Sequence, residues 1–424
     1  MRALQKLTRR QVLKVAGGTV VTLAAGGTAG RLLGWAVAQE PARPLLPSPT
    51  RRAVIVGGGI SGAMCARTLR KIAPDVEVVL VERNPTYVSG PSHVDYIVGL
   101  EDARKVTVGY EGLAKEGVKV IRTAATGIRP GERRVLTAQG FVEYNVLLLA
   151  TGIVPATHEI RQLLENFRMA PHAWTWAGTV ELRRAVEAFR GGTFVITVPP
   201  PPYKCPPGPY EVACLVDEFW KKKGVRAEVV VLDANDRPQP PLLADLWRRV
   251  LADRGIVYKP SFKVVELDPT TRTLISDRGE RQRFDLASVI PPQRAPLFIE
   301  EAGLGAAFVP VDPATFRSRA HEAVYAVGDV AAVPYTKSAF TAFLQGRNAA
   351  YSLARALGRQ PGEPDPVFNQ CWPFVSSTEA LLVEVAWTKE GRPIPERSRT
   401  GGPSRDHVRA RKTWEYGILR AAYG

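Results

Sequence analysis

The chain has 424 residues, of which 45% are hydrophobic and 23% charged, with 35 prolines. That length exceeds one ordinary core and points to two or three domains, and the composition excludes a disordered or fibrous chain. The formal net charge is +16, concentrated only at Lys221–Lys223 and near Arg405–Lys412. It reads as a solvated basic surface able to dock an acidic protein partner. Nucleic-acid binding is not expected, because it would need a basic stripe with interleaved aromatics.

Residues 8–14 read Thr-Arg-Arg-Gln-Val-Leu-Lys, and a Gly/Ala-rich apolar run extends from Val15 to Gly30. Arg31 interrupts that run before it reaches the roughly 20 apolar residues of a membrane span. Ala36-Val37-Ala38 then offers a small-residue cleavage site. Residues 1–38 resemble a twin-arginine export signal. The expectation is an exported, periplasmic protein with no transmembrane segment in the mature chain, whose net charge would be +10. Cys65, Cys205, Cys214 and Cys371 would then mature where disulfides persist. No Cys-x-x-Cys or zinc spacing is present, and three complete pairings are open.

Arg52-Ala53-Val54-Ile55-Val56 reads as a buried parallel strand. Gly57-Gly58-Gly59-Ile60-Ser61-Gly62 follows at once, and Ala63 to Leu69 reads as a helix. This is Gly-x-Gly-x-x-Gly in the strand–turn–helix setting that gives it meaning. Gly57 permits the tight turn, Gly59 lets a pyrophosphate approach the backbone, and Gly62 lets helix and strand pack closely. The helix N-terminus adds amide donors and a positive dipole end. The next strand, Val76 to Val81, ends at Glu82, placed to accept from a ribose, with Arg83 beside it. Two later strands end in Thr151-Gly152 and in Gly328-Asp329.

Between those two motifs a second nucleotide domain begins normally and then departs. Thr193 to Val198 is the expected strand, but the following loop reads Pro199-Pro-Pro-Pro-Tyr-Lys-Cys205-Pro-Pro-Gly208-Pro-Tyr-Glu211. One glycine stands where three are needed, and prolines lack the N–H groups that cradle phosphate. A helix from about Glu211 to Lys223 and a strand from Ala227 to Leu232 follow. The domain is intact while its nucleotide loop is lost, so NAD(P)H is not the expected electron donor. Cys205 stands in that loop, in a rigid proline frame.

The Thr-Gly and Gly-Asp strands resemble the secondary FAD motifs of the glutathione-reductase-like flavoproteins, where the acid at the position of Asp329 holds the ribityl chain. From Lys204 to Glu211 the chain resembles the flavoprotein subunit of flavocytochrome c sulfide dehydrogenase, a relative of sulfide:quinone oxidoreductase. Val289 to Ala295, Pro310 to Phe316, Lys337-Ser338-Ala339, Phe368-Asn369-Gln370-Cys371 and Trp414 to Gly424 extend the likeness over nearly the whole mature chain. The resemblance implies a redox-active Cys205–Cys371 disulfide beside the flavin, with Cys371 on the flavin side. It also implies a helix near Lys337 aimed at the flavin's pyrimidine edge, and a c-type cytochrome subunit as partner in a heterodimer, with sulfide or another reduced sulfur species as substrate. Glu211 is the candidate proton handler, or simply an acid at a helix start. Gly90 stands where the family often carries a cysteine that tethers FAD, which predicts non-covalent FAD. His93 is near enough in sequence to approach the flavin. The chain has no Cys-x-x-Cys-His haem attachment site and no metal site is expected.

The predicted fold is α/β, with two Rossmann-like domains and a C-terminal domain over the flavin. Residues 50–160 and 290–345 form the FAD domain, 161–289 the degraded nucleotide domain, and 346–424 the C-terminal interface domain. The function expected is sulfide oxidation with electrons passed to the cytochrome. The alternatives are a sulfide:quinone oxidoreductase, a pyridine-nucleotide disulfide reductase, and a non-catalytic flavoprotein that activates a sulfur-oxidising assembly. The lost glycine loop and the missing Cys-x-x-x-x-Cys count against the second of these.

Overall fold

The computed structural model describes residues 43–424. The predicted export segment, residues 1–38, lies outside the described residues.

Arg52–Val56 is buried along its whole length, as expected of a parallel strand covered on both faces. It pairs in parallel with Glu77–Glu82 on one side and Val146–Leu149 on the other. Lys119–Arg122 and Val324–Ala326 close the two edges of this five-stranded sheet. The last of these strands comes from the far side of a large insertion. Sequence-distant halves therefore build one nucleotide-binding sheet, and Thr151-Gly152 and Gly328-Asp329 emerge from neighbouring strands at the same end as the glycine loop.

The inserted residues form a second, four-stranded parallel sheet in the order Val257–Lys259, Ala227–Asp233, Gly192–Val198, Leu286–Ser288. Its Gly208–Lys222 helix buries Tyr210, Val212, Ala213, Cys214 and Trp220 against it. The C-terminal part is a three-stranded antiparallel sheet, Phe368–Cys371, Ala380–Trp387 and Pro393–Ser404, followed by the helix Arg405–Tyr423. The architecture is α/β, as the sequence pattern predicts.

Two glycines set the spacing of the first domain. A Cβ on Gly62 would lie 2.0 Å from the Gly57 carbonyl oxygen, and one on Gly346 would lie 2.1 Å from that of Ser61. The first packs the Ile60–Ile72 helix onto its own turn, and the second lets the Ala339–Ala356 helix meet the start of that helix. Ser338 starts the second helix with a reciprocal cap to Thr341 and also donates to Asn369 Oδ1 at 2.6 Å. That bond ties the helix start to the strand bearing Cys371. Among the described residues, no helix is long and apolar enough to cross a membrane.

Candidate active site

A cavity of about 800 Å³ runs from the glycine loop to the two loop cysteines, toward the upper end of the roughly 300–1,000 Å³ typical of ligand sites. Gly57, Gly59, Glu82, Arg83, Gly90, His93, Thr151, Gly152, Cys205, Glu211, Gly328, Asp329, Lys337 and Cys371 all line it. Gly62 alone of the predicted site residues lies beneath the wall, where it allows close packing.

The glycine-loop end fits a dinucleotide. Gly57 adopts a φ of +104°, open to glycine and strained for other residues. A Cβ on Gly59 would meet nothing within 4 Å, so the backbone there is bare toward the cavity. Gly59 caps the helix without a side-chain hydrogen bond, which leaves first-turn amides for an anion. Glu82 Oε2 accepts from the Gly58 amide at 2.7 Å, and Oε1 from the Asn84 amide at 2.7 Å, which fixes the carboxylate at the cavity wall. The Asp329 carboxylate has no hydrogen-bond partner among the described residues. These residues fit FAD: the loop would hold the pyrophosphate, Glu82 the adenosine ribose, and Asp329 the ribityl hydroxyls.

The other end holds the sulfur chemistry. The proline loop delivers Cys205 in a left-handed conformation, φ +55°, which is uncommon for a side chain with a Cβ. It is held there by Cys205 N donating to Lys337 O at 2.8 Å, and by Gly208 N donating to Cys205 O at 2.9 Å. The adjacent Lys204 carbonyl accepts from Trp174 Nε1 at 2.8 Å. A Cβ on Gly208 would press on Cys205 Sγ at 3.0 Å, so this single retained glycine makes room for the sulfur. Cys371 reaches the same cavity at the end of its strand. Both cysteines are free thiols in the structure, as are the buried Cys65 and Cys214. The disulfide that the resemblance implies is not formed in this structure.

Glu211 is 1% exposed. Its Oε2 lies 4.0 Å from Cys205 Sγ, while Oε1 accepts from the Phe374 amide at 3.0 Å and from Arg411 Nη1 at 2.6 Å. Burial pushes its carboxyl up, and Arg411 opposes that. Burial likewise raises both thiols, Cys371 to about 12. His93 Nδ1 meets the Ala173 carbonyl at 2.9 Å. A carbonyl only accepts, so Nδ1 carries the proton. Burial pushes the ring down to about 3, and it stays neutral.

Two expectations change in this geometry. Lys337 Nζ donates to the Asp329 and Ala331 carbonyls at 2.7 and 2.9 Å, so its ammonium anchors a loop, and the helix itself begins at Ala339. Of the two lysines that line the cavity, Lys204 is the one whose ammonium has no hydrogen-bond partner among the described residues. The basic run near Arg405–Lys412 is not wholly a solvated surface. Arg405 and Arg409 are exposed, but Arg411 is buried and Lys412 partly so, because Asp95, Glu211 and Glu101 supply partners. Sequence reasoning missed Arg411, although a signal existed. It opens the helical stripe Arg411, Glu415, Ile418, Leu419, Ala422, all buried at the spacing of an inward face.

The same helix clamps the glycine loop. Tyr423 donates from its hydroxyl to Gly58 O at 2.9 Å and stacks on Tyr87 at 5.3 Å. Tyr423→Ala is expected to cost about 3 kcal/mol and to weaken FAD retention. A melting temperature and a flavin-to-protein absorbance ratio equal to the parent's would contradict that role.

Comparison with known proteins agrees with this geometry. A family described as the central part of the flavocytochrome c sulfide dehydrogenase flavoprotein chain matches residues 179–291, and the pyridine nucleotide-disulphide oxidoreductase family matches residues 51–185. The chain is 48% identical over 42 residues to the flavocytochrome c sulfide dehydrogenase flavoprotein chain of Chlorobaculum thiosulfatiphilum, covering 10% of this chain and 88% of that sequence. It is 22% identical over 352 residues to the mitochondrial sulfide:quinone oxidoreductase of Mus musculus, covering 80% and 78%. In structure it resembles the sulfide:quinone oxidoreductase of Aquifex aeolicus, with a TM-score of 0.76 at 18% identity over 88% of this chain and 91% of that one. That last likeness concerns the fold. With the local match, the two family matches and the shared architecture together, the chain belongs to the flavocytochrome c sulfide dehydrogenase flavoprotein family and is a flavin-dependent oxidoreductase.

Proposed function

We propose that this protein oxidises sulfide at Cys205 and Cys371 and passes the electrons through FAD to a c-type cytochrome partner. The observation that carries the reading is the placement of two cysteines and a buried carboxylate, Glu211, at one end of a cavity whose other end fits FAD. In the oxidised enzyme the two cysteines form a disulfide. Hydrosulfide attacks one sulfur, a new sulfur–sulfur bond forms, and the Cys–Cys bond breaks. The leaving cysteine takes the bonding pair as a thiolate while the substrate sulfur is oxidised into a persulfide. Glu211 is positioned to take up the proton that hydrosulfide carries into a persulfide at Cys205. FAD, when bound, supplies a two-electron acceptor that can return electrons one at a time. Binding is non-covalent, since Gly90 offers no thiol for a tether.

The cytochrome is supported by the named relative in Chlorobaculum thiosulfatiphilum and by a basic surface suited to an acidic partner. Export through a twin-arginine signal is supported by Arg9-Arg10 and the apolar run after them. The test is anaerobic turnover with sulfide against three electron partners. Reduction of an added c-type cytochrome, well above that of a short-chain quinone, is the expected result, with NADH failing to reduce the flavin. Quinone reduction alone would favour sulfide:quinone chemistry. Absence of sulfide turnover with every acceptor would leave the partner-activating flavoprotein.

A further inference from the structure

The C-terminal helix carries a guanidinium into the sulfur end of the cavity. Arg411 is 5% exposed. Its Nη1 donates to Glu211 Oε1 at 2.6 Å and to Trp372 O at 3.0 Å, and its Nη2 to Pro91 O at 2.8 Å and to Asp95 Oδ1 at 3.0 Å. The guanidinium carbon lies 4.3 Å from the centre of the Phe374 ring. Two of these partners belong to the cysteines' own segments. Trp372 follows Cys371, and Glu211 stands 4.0 Å from Cys205 Sγ. One planar fork therefore ties together both sulfur-bearing elements and the carboxylate between them.

The charges around the fork are unequal in their commitments. Asp95, on the Ser92–Ile97 helix, also takes Lys412, whose Nζ continues to Glu101 Oε2 at 2.7 Å. Glu415, one turn along the C-terminal helix, accepts from Ser92 Oγ at 2.5 Å and from Ser89 Oγ; burial pushes its carboxyl up. Among the described residues, Glu211 forms an ion pair with Arg411 and no other cation. From the proline loop, Lys204 favours a thiolate at Cys205, whereas Arg411 favours one at either cysteine; Glu211 opposes both.

We propose that Arg411 is the positioning residue that holds Glu211 beside Cys205 and supplies the counter-charge for whichever cysteine leaves as thiolate when the pair opens. This rests on the sulfide reading above. In that step hydrosulfide brings one negative charge into the cavity, and the thiolate keeps it there. Without Arg411 a thiolate at Cys371 would face Glu211 with no offsetting cation, and one at Cys205 would have only Lys204.

The test reads thiol ionisation with no sulfide present. FAD-loaded protein is reduced with dithiothreitol, desalted, and alkylated with iodoacetamide from neutral to alkaline pH, and the Cys205 and Cys371 peptides are quantified by mass spectrometry. Arg411→Gln is expected to move both profiles to higher pH and to slow alkylation near neutrality about tenfold, equivalent to one unit of apparent pKa. Arg411→Lys keeps the charge and restores most of the rate. Glu211→Gln moves the Cys205 profile to lower pH. A folded, FAD-loaded Arg411→Gln whose profiles overlay the parent's would overturn the assignment. If that variant does not fold, a Glu211→Gln profile that is unmoved or moved to higher pH overturns it instead. In a separate mix, a parent flavin that sulfide does not bleach sinks the underlying reading and the thiolate role with it. Bleaching with overlaid alkylation profiles sinks the Arg411 assignment alone.

Discussion

Cys205→Ser protein is expected to bind FAD as the parent does while its sulfide-driven flavin reduction slows by about 10³-fold or more, as for other groups that act as one catalytic unit. Serine replaces the sulfur by a smaller oxygen without adding bulk, and the backbone bonds of residue 205 to Lys337 and Gly208 are unchanged, so the loop keeps its shape. What disappears is the sulfur that can pair with Cys371. Cys371→Ser is expected to lose a similar factor, and the double variant little more than either single one. Additive losses would mean that the two cysteines act independently. A Cys205→Ser variant reduced as fast as the parent would place the chemistry elsewhere.

Gly62→Val is expected to yield protein without FAD. The first added carbon would lie 2.0 Å from the Gly57 carbonyl oxygen and 3.1 Å from Ala150 Cβ. The obstacle is backbone, which cannot rotate away. The Ile60–Ile72 helix would have to lift from the Arg52–Val56 strand, costing about 3 kcal/mol or more and opening the turn that receives the pyrophosphate. Gly131→Ala is the control: its added carbon meets nothing within 4 Å, and FAD content should not change. A yellow Gly62→Val protein with the parent's flavin content and melting temperature would show that the close approach is dispensable.

The nucleotide-binding half of the fold was legible because its signals are short-range. Strand, glycine turn, helix and Glu82 lie within a few dozen residues, and each residue type answers a local need of backbone angle, close packing or anion binding. The proline loop was legible for the converse reason, since a required glycine pattern is missing at a place the domain order defines. Arg411 was not legible as a site residue. Its partners Glu211 and Asp95 lie 200 and 316 positions away, and a basic run on a helix is ordinarily solvated. Only tertiary structure shows that two buried carboxylates wait for it. Lys337 shows the same limit. Its place before a helix start and on the cavity wall was legible, but not that the neighbouring loop presents two carbonyls to its ammonium.

In the proposed route substrate sulfur bonds covalently to the cysteine pair before electrons leave it. The most direct measurement is mass spectrometry of protein quenched with an alkylating agent after one equivalent of sulfide under anaerobic conditions, with the flavin spectrum recorded in the same mix. The predicted result is a bleached flavin together with one added sulfur atom on the peptide carrying Cys205 or the one carrying Cys371. A bleached flavin with no sulfur on either peptide would contradict the claim.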